Sequence, residues 1–205
     1  MATRIELAAI VKSKIDELTP FDEGLALITA PGNTGNNPVE TYIAKFLDES
    51  AKETLLESPS HVLPQTAFGT VNYDLTNKKA VITLPSQFLR VAYILFTSWQ
   101  RPVFNATYPG DPTYNRQFSY LKAGTARPKA TWISEAGTGK LLCWGVESAT
   151  GNTLYYCPLT VAEDMPDILL DAVTWHCASL VLQVFAKDKL GQEAFGRYVK
   201  ALSLL

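Results

Sequence analysis

The sequence predicts an α+β protein: a bundle of N- and C-terminal helices with a central β-rich insertion. Three observations carry this. Residues 3–18, 37–57 and the last 40 or so show helical periodicity of apolar residues. The middle is rich in alternating aromatic and β-branched runs separated by Gly, Pro and Asn turns. The clearest helix of all, Met165 to Ala186, follows the β-rich part rather than preceding it. Residues 1–60 and 160–205 are therefore assigned to the bundle and 61–159 to the insertion lobe.

Thr3 to Leu18 is predicted helical. Thr3 and Glu6 have capping-box spacing, Ala8, Val11, Ile15 and Leu18 share one face, and Thr19-Pro20 ends the run. Residues 21–37 read as a long connection containing Ala-Pro-Gly-Asn-Thr-Gly-Asn-Asn. Its Gly32 and Gly35 fit neither nucleotide fingerprint, and no P-loop lysine follows, so a loop is expected. Asn37 to Glu57 is the second helix, with Asn37 as cap and Pro38 in the first turn. Val39, Tyr42, Ile43, Phe46, Leu47 and Leu55 form its apolar row. Asp48, Glu49, Glu53 and Glu57 are expected on a solvated acidic face, since no histidine stands at ligand spacing.

Val71 to Leu75, a turn at Thr76–Lys79, and Ala80 to Leu84 predict a hairpin. Phe88 to Trp99 predicts a buried strand. Residues 104–130 form an aromatic loop. Tyr108 opens a Pro-Gly-Asp-Pro turn. Tyr114, Arg116, Phe118 and Tyr120 then alternate with polar residues before Lys122, Arg127 and Lys129. Interleaved rings and cations suit single-stranded nucleic acid or a protein partner. A net charge of −2 favours protein. Tyr108, Tyr114, Arg116, Phe118 and Tyr120 are accordingly the candidate interface.

Trp132 to Pro158 is a second β-unit. Lys140–Glu147 and Thr153–Cys157 flank a turn at 148–152, which predicts a hairpin that brings Cys143 near Cys157. Gly137-Thr138-Gly139-Lys140 resembles the end of a Walker A motif. Ser134 stands where its first glycine is needed, and Leu141 where a magnesium ligand is needed, so a reverse turn explains it better.

In the 165–186 helix, Leu169, Val173, Cys177, Leu180 and Val184 make one apolar stripe and Ile168, Ala172, Trp175 and Leu182 another. His176, Ser179 and Gln183 run between them. Asp164 is the expected cap. Asp171, His176, Ser179 and Gln183 argue against a membrane span. With one stripe used inside the bundle, Trp175 is expected to take cover from the β-lobe or a neighbouring subunit. His176 and Cys177 are adjacent and point about 100° apart, a poor nucleophile pair. His176 is expected to bond Ser179 or a backbone carbonyl. A last helix after Asp188 shows Ala194, Phe195, Tyr198, Val199 and Leu202 on one face, weakened by Gly191 and Gly196.

The whole chain has 205 residues, 47% hydrophobic and only 19% charged, a folding composition lean in charge. Three scattered cysteines without CxxC suggest reduced thiols, neither a disulfide framework nor a zinc site. No signal peptide is expected. The residues advertise no catalytic motif, cofactor or metal, so a non-enzyme is expected.

Three segments together carry a resemblance. They are Leu47-Asp48-Glu49-Ser50-Ala51-Lys52-Glu53-Thr54-Leu55-Leu56-Glu57-Ser58-Pro59; Ile82-Thr83-Leu84-Pro85-Ser86-Gln87-Phe88-Leu89-Arg90-Val91, running on to Trp99-Gln100-Arg101-Pro102-Val103; and the long helix followed by a short terminal one. Their order resembles the head–tail connector, or neck ring, proteins of tailed bacteriophages, most closely the ring proteins of crAss-like phages. The resemblance implies a structural virion protein, assembled in the host cytoplasm and located at the head–tail junction. It implies a homo-oligomeric ring of twelve copies, partnered by the portal and by neighbouring neck or tail proteins. DNA would pass through the channel without sequence-specific binding. No catalytic residue carries over. The alternatives are a single-stranded nucleic-acid-binding module and a tail or capsid-decoration protein.

Overall fold

The computed structural model describes residues 2–19, 38–119, 122–135 and 137–205. The chain divides into two compact units, Met1–Val62 with Thr160–Leu205, and Leu63–Leu159.

Among the described residues the first unit holds four α-helices: α1 (Arg4–Leu18), α2 (Pro38–Glu57), α3 (Asp167–Val184) and α4 (Asp188–Ser203). α1 starts where its sequence dictates. The Thr3 side chain accepts from the Glu6 N–H while Glu6 bonds back to the Thr3 N–H at 2.7 Å, a reciprocal capping box. It buries Leu7, Val11 and Ile15, a stripe turned slightly from the Ala8-centred face expected. α2 buries Val39, Ile43, Leu47, Ala51 and Leu55, together with Ser50 and Thr54. Its cap at Asn37, and the loop expected at 21–37, lie outside the described residues.

α3 packs against all three other helices. That explains burial on nearly every side, from Leu169 through Leu182. By length and composition this helix could cross a membrane; its apolar residues are instead spent on contacts within the unit. Pro166 rather than Asp164 occupies the N-cap position, and no side chain caps the helix. Ala186, at φ 54°, turns the chain into α4. Gly191, read as a weak point, is a close-approach residue: a Cβ there would lie 3.0 Å from Gln183 Cγ and 3.3 Å from the Ser179 carbonyl oxygen.

Among the described residues the second unit contains two sheets. β1 (Thr66–Ala67), β8 (Thr153–Pro158) and β4 (Phe88–Leu95) form the smaller, in that order. The larger runs β2 (Val71–Asp74), β3 (Lys79–Thr83), β7 (Thr138–Trp144), β6 (Ala130–Glu135) and β5 (Ala106–Thr107). The β2–β3 hairpin pairs Val71 with Ile82 and Asp74 with Lys79, as the alternation predicts. Both sheets contribute to one core: Ile82, Leu141 and Cys143 from the larger, Val91, Ile94 and Tyr156 from the smaller. Phe68, Phe96 and Trp99 fill it further, and Phe96 meets Trp99 edge-on at 4.8 Å.

The expected hairpin between β7 and β8 does not form. β7 pairs with β3 and β6, whereas β8 pairs with β1 and β4. The turn at 148–152 therefore carries the chain from one sheet to the other, and Cys143 and Cys157 lie on strands that do not pair. The hairpin partner of β7 is β6, joined through Gly137 at φ 77°.

Candidate functional site

The centre of the helical unit gathers its polar groups around His176. The imidazole is 4% exposed and Nε2 lies 3.6 Å from a Glu53 carboxylate oxygen. The Tyr198 ring stacks at 4.7 Å, tilted, and its hydroxyl donates to Glu57 at 2.7 Å. Burial lowers the His176 pKa, opposed by the fields of Glu53, Glu57 and Glu49. Burial, reinforced by Glu57, pushes the Tyr198 hydroxyl well above the usual phenol range. His176 thus bonds neither Ser179 nor a carbonyl, contrary to expectation. Nδ1 and the Ser179 hydroxyl are both buried without a partner. The acidic face of α2 is exposed as expected, and from it Glu53 also reaches the His176 ring. Asp48 is likewise engaged, with Arg4 at 3.1 Å and the Ala162 N–H at 3.2 Å.

All three thiols are free and buried. Burial pushes Cys157 up to about 11 and Cys177 up to about 12, and raises Cys143 further still. Such thiols are protonated at neutral pH and poor nucleophiles. Cys177 Sγ faces the Ile43 carbonyl at 3.8 Å, away from the Glu53 that His176 approaches.

Trp175, expected at an interface, is 8% exposed in the single chain. Lys14 Nζ sits 4.4 Å from the ring centroid and the Arg197 guanidinium 4.7 Å. Lys14 is held by Asp171 at 2.6 Å and Thr174 at 2.7 Å, and Arg197 by Glu17 and Glu193. Cations from α1 and α4 lie over the ring, where cover from the β-lobe or a neighbouring subunit was expected.

The aromatic loop holds the other candidates. Tyr108 is 42% exposed and its ring lies 5.6 Å from Trp132. Asn115–Phe118 form a 3₁₀ turn rather than a regular alternation. Tyr114 is half-buried, meeting Phe118 edge-on at 5.3 Å. Phe118 is 54% exposed and Arg116 is exposed. Tyr120 lies outside the described residues. Sequence reasoning missed Gln117, the buried anchor of this loop. Its side-chain oxygen accepts from Ala123 N–H at 3.0 Å, and its backbone carbonyl accepts from the Trp144 indole at 2.9 Å. A glutamine flanked by Arg and Phe carries no signal of burial.

Gly139, the last glycine of the Walker-like run, has a packing reason. A Cβ there would lie 2.8 Å from the Trp132 ring, which covers the strand at that point. Lys140 pairs with Glu135 across the turn at 2.6 Å. The run is a β6–β7 hairpin end.

No family model matches the sequence, and no curated protein matches it.

Proposed function

We propose that this chain is a structural virion protein that forms a ring at the portal vertex, joins capsid to tail and extends the DNA channel. The observation that supports it most is the chain's organisation. Both ends of the sequence build one helical unit around α3, and the β unit is inserted between residues 62 and 160. That is the arrangement the resemblance to connector proteins implies, with the three resembling segments falling on α2, on β3 through β4 to Val103, and on α3–α4.

With Trp175 satisfied internally, the head-to-tail contact is assigned to other side chains. Ile168 on α3 and Phe195 and Val199 on α4 are exposed. Phe195 and Val199 are one turn apart and so share a face. Heterologous contacts of this kind repeat until they close. The number twelve rests on the resemblance alone, and the exposed rings of the aromatic loop are assigned to a neighbouring neck or tail protein.

The test is native mass spectrometry of the purified chain mixed with assembled portal rings. The expected result is a stoichiometric collar, one subunit per portal subunit, lost in Phe195→Asp while the far-ultraviolet circular dichroism is unchanged. Absence of any portal complex, or a collar indifferent to Phe195→Asp and Val199→Asp, contradicts the proposal.

A further inference from the structure

The β unit carries a groove of about 610 Å³ that the connector reading does not use. It is lined by Lys78, Lys122, Thr125, Trp144, Gly145 and Glu147 among others. The volume falls in the range of small-ligand sites. The floor is fixed. The Trp144 indole N–H donates to the Gln117 carbonyl at 2.9 Å, and the Trp144 carbonyl accepts from the Trp99 indole at 2.8 Å. Gly145 is at φ 73°, and a Cβ there would lie 3.0 Å from the Thr125 nitrogen. Only glycine lets residues 124–125 approach this closely. The turn bearing Lys78 is tied down by the Val146 N–H, which donates to the Lys78 carbonyl at 3.0 Å.

On this floor the indole is half-buried, and the cation over it is on an exposed side chain. Lys122 Nζ lies 3.9 Å from the Trp144 ring centroid. Lys78 reaches Glu147 at 2.7 Å, both largely exposed. Two lysines against one glutamate leave the groove positive on a chain of net charge −2. An anchored aromatic face, an exposed cation above it and a second cation beside it match a ligand with a planar ring and an anionic group. A base stacking on Trp144 would displace Lys122 toward its phosphate, exchanging a cation–π contact for an ion pair plus a stack.

We propose that this groove binds a nucleotide, its base stacked on Trp144 and its phosphate held by Lys122 and Lys78. The inference stands independently of the ring. A free nucleotide and a nucleotide unit of a single strand share this chemistry.

The experiment titrates the full chain with AMP and, separately, with a short labelled oligothymidylate, at two salt concentrations. Saturable binding of either probe is expected, weakened at least about fivefold by Lys122→Ala or Trp144→Phe, the lower end of one stacking contact, and further by raised salt. Lys122→Ala touches only an exposed side chain and so keeps the fold if Trp144→Phe does not. AMP binding assigns the site to free nucleotides; oligothymidylate binding without AMP assigns it to single strands. If neither probe binds tighter than about 1 mM, or if both variants bind as the parent does, the proposal is overturned.

Discussion

The two units of this chain solve the problem of a core in opposite ways. In the β unit, large rings fill the space between sheets: Phe68, Phe96, Trp99 and Tyr156 are all buried, and Phe88 and Trp132 pack at 6.3 Å. In the helical unit, branched aliphatic side chains do so, Leu7, Ile15, Ile43, Leu47, Leu55, Leu169 and Leu182 among them, with Ser50, Thr54, His176 and Ser179 as buried polar members. The difference follows from geometry. Sheets pack about 10 Å apart and leave room for rings, whereas ridges of branched aliphatic side chains fill the grooves between helices. The helical unit also leaves the Ser179 hydroxyl and His176 Nδ1 buried without partners, and in the β unit the Thr131 hydroxyl is in the same position, among the described residues. Ring-filled and polar-seamed cores should respond to substitution differently.

The largest effect is expected in the ring-filled core. Trp99→Ala removes a nearly buried indole and its bond to the Trp144 carbonyl. It should cost about 3–5 kcal/mol, measured by urea denaturation. A loss under about 1 kcal/mol would show that the core collapses around the gap. Next comes Gly139→Ala, which drives a methyl into the Trp132 ring. A loss of about 1–3 kcal/mol is expected, with a shift in the near-ultraviolet tryptophan signal.

In the helical unit the effects are smaller. Tyr198→Phe deletes the hydroxyl that donates to Glu57 and should cost about 1 kcal/mol; an unchanged midpoint would mean water replaces that bond fully. The pH response has a definite sign. The His176 pKa is lowered in the fold, so the unfolded chain binds the proton more readily. Stability should be flat above the unfolded value of about 6.5 and fall as pH drops through it toward the folded value. His176→Phe should remove that dependence. A wild-type midpoint that rises on acidification through this window would contradict the geometry. Smallest of all, Ser179→Ala removes a partnerless hydroxyl from α3 and should stabilise by about 0.5 kcal/mol.

The features that were legible in the sequence are local ones. The Thr3–Glu6 box, the β2–β3 hairpin and the β6–β7 turn each depend on residues within a few positions of one another. What the sequence hid depends on distant partners. The turn at 148–152 looks the same whether it joins paired strands or crosses between sheets, so the β7–β8 hairpin was misassigned. The acidic face of α2 is solvated as expected, with Glu49, Glu53 and Glu57 exposed; what stayed hidden is that Arg4 and Tyr198, partners of Asp48 and Glu57, lie 44 and 141 positions away. Trp175 looked unsatisfied for the same reason: Lys14 and Arg197 come from opposite ends of the chain. Among the candidate interface residues, Tyr108, Arg116 and Phe118 are exposed, in part or fully, because Gln117 rather than they anchors the loop.

The proposed ring is tested most directly by electron microscopy of phage particles labelled for this chain. The account predicts a symmetric collar of twelve copies around the DNA channel between portal and tail, with Phe195 and Val199 of each copy buried against the next. A particle in which this chain lies away from the portal axis, or in which no copy surrounds the channel, would contradict it.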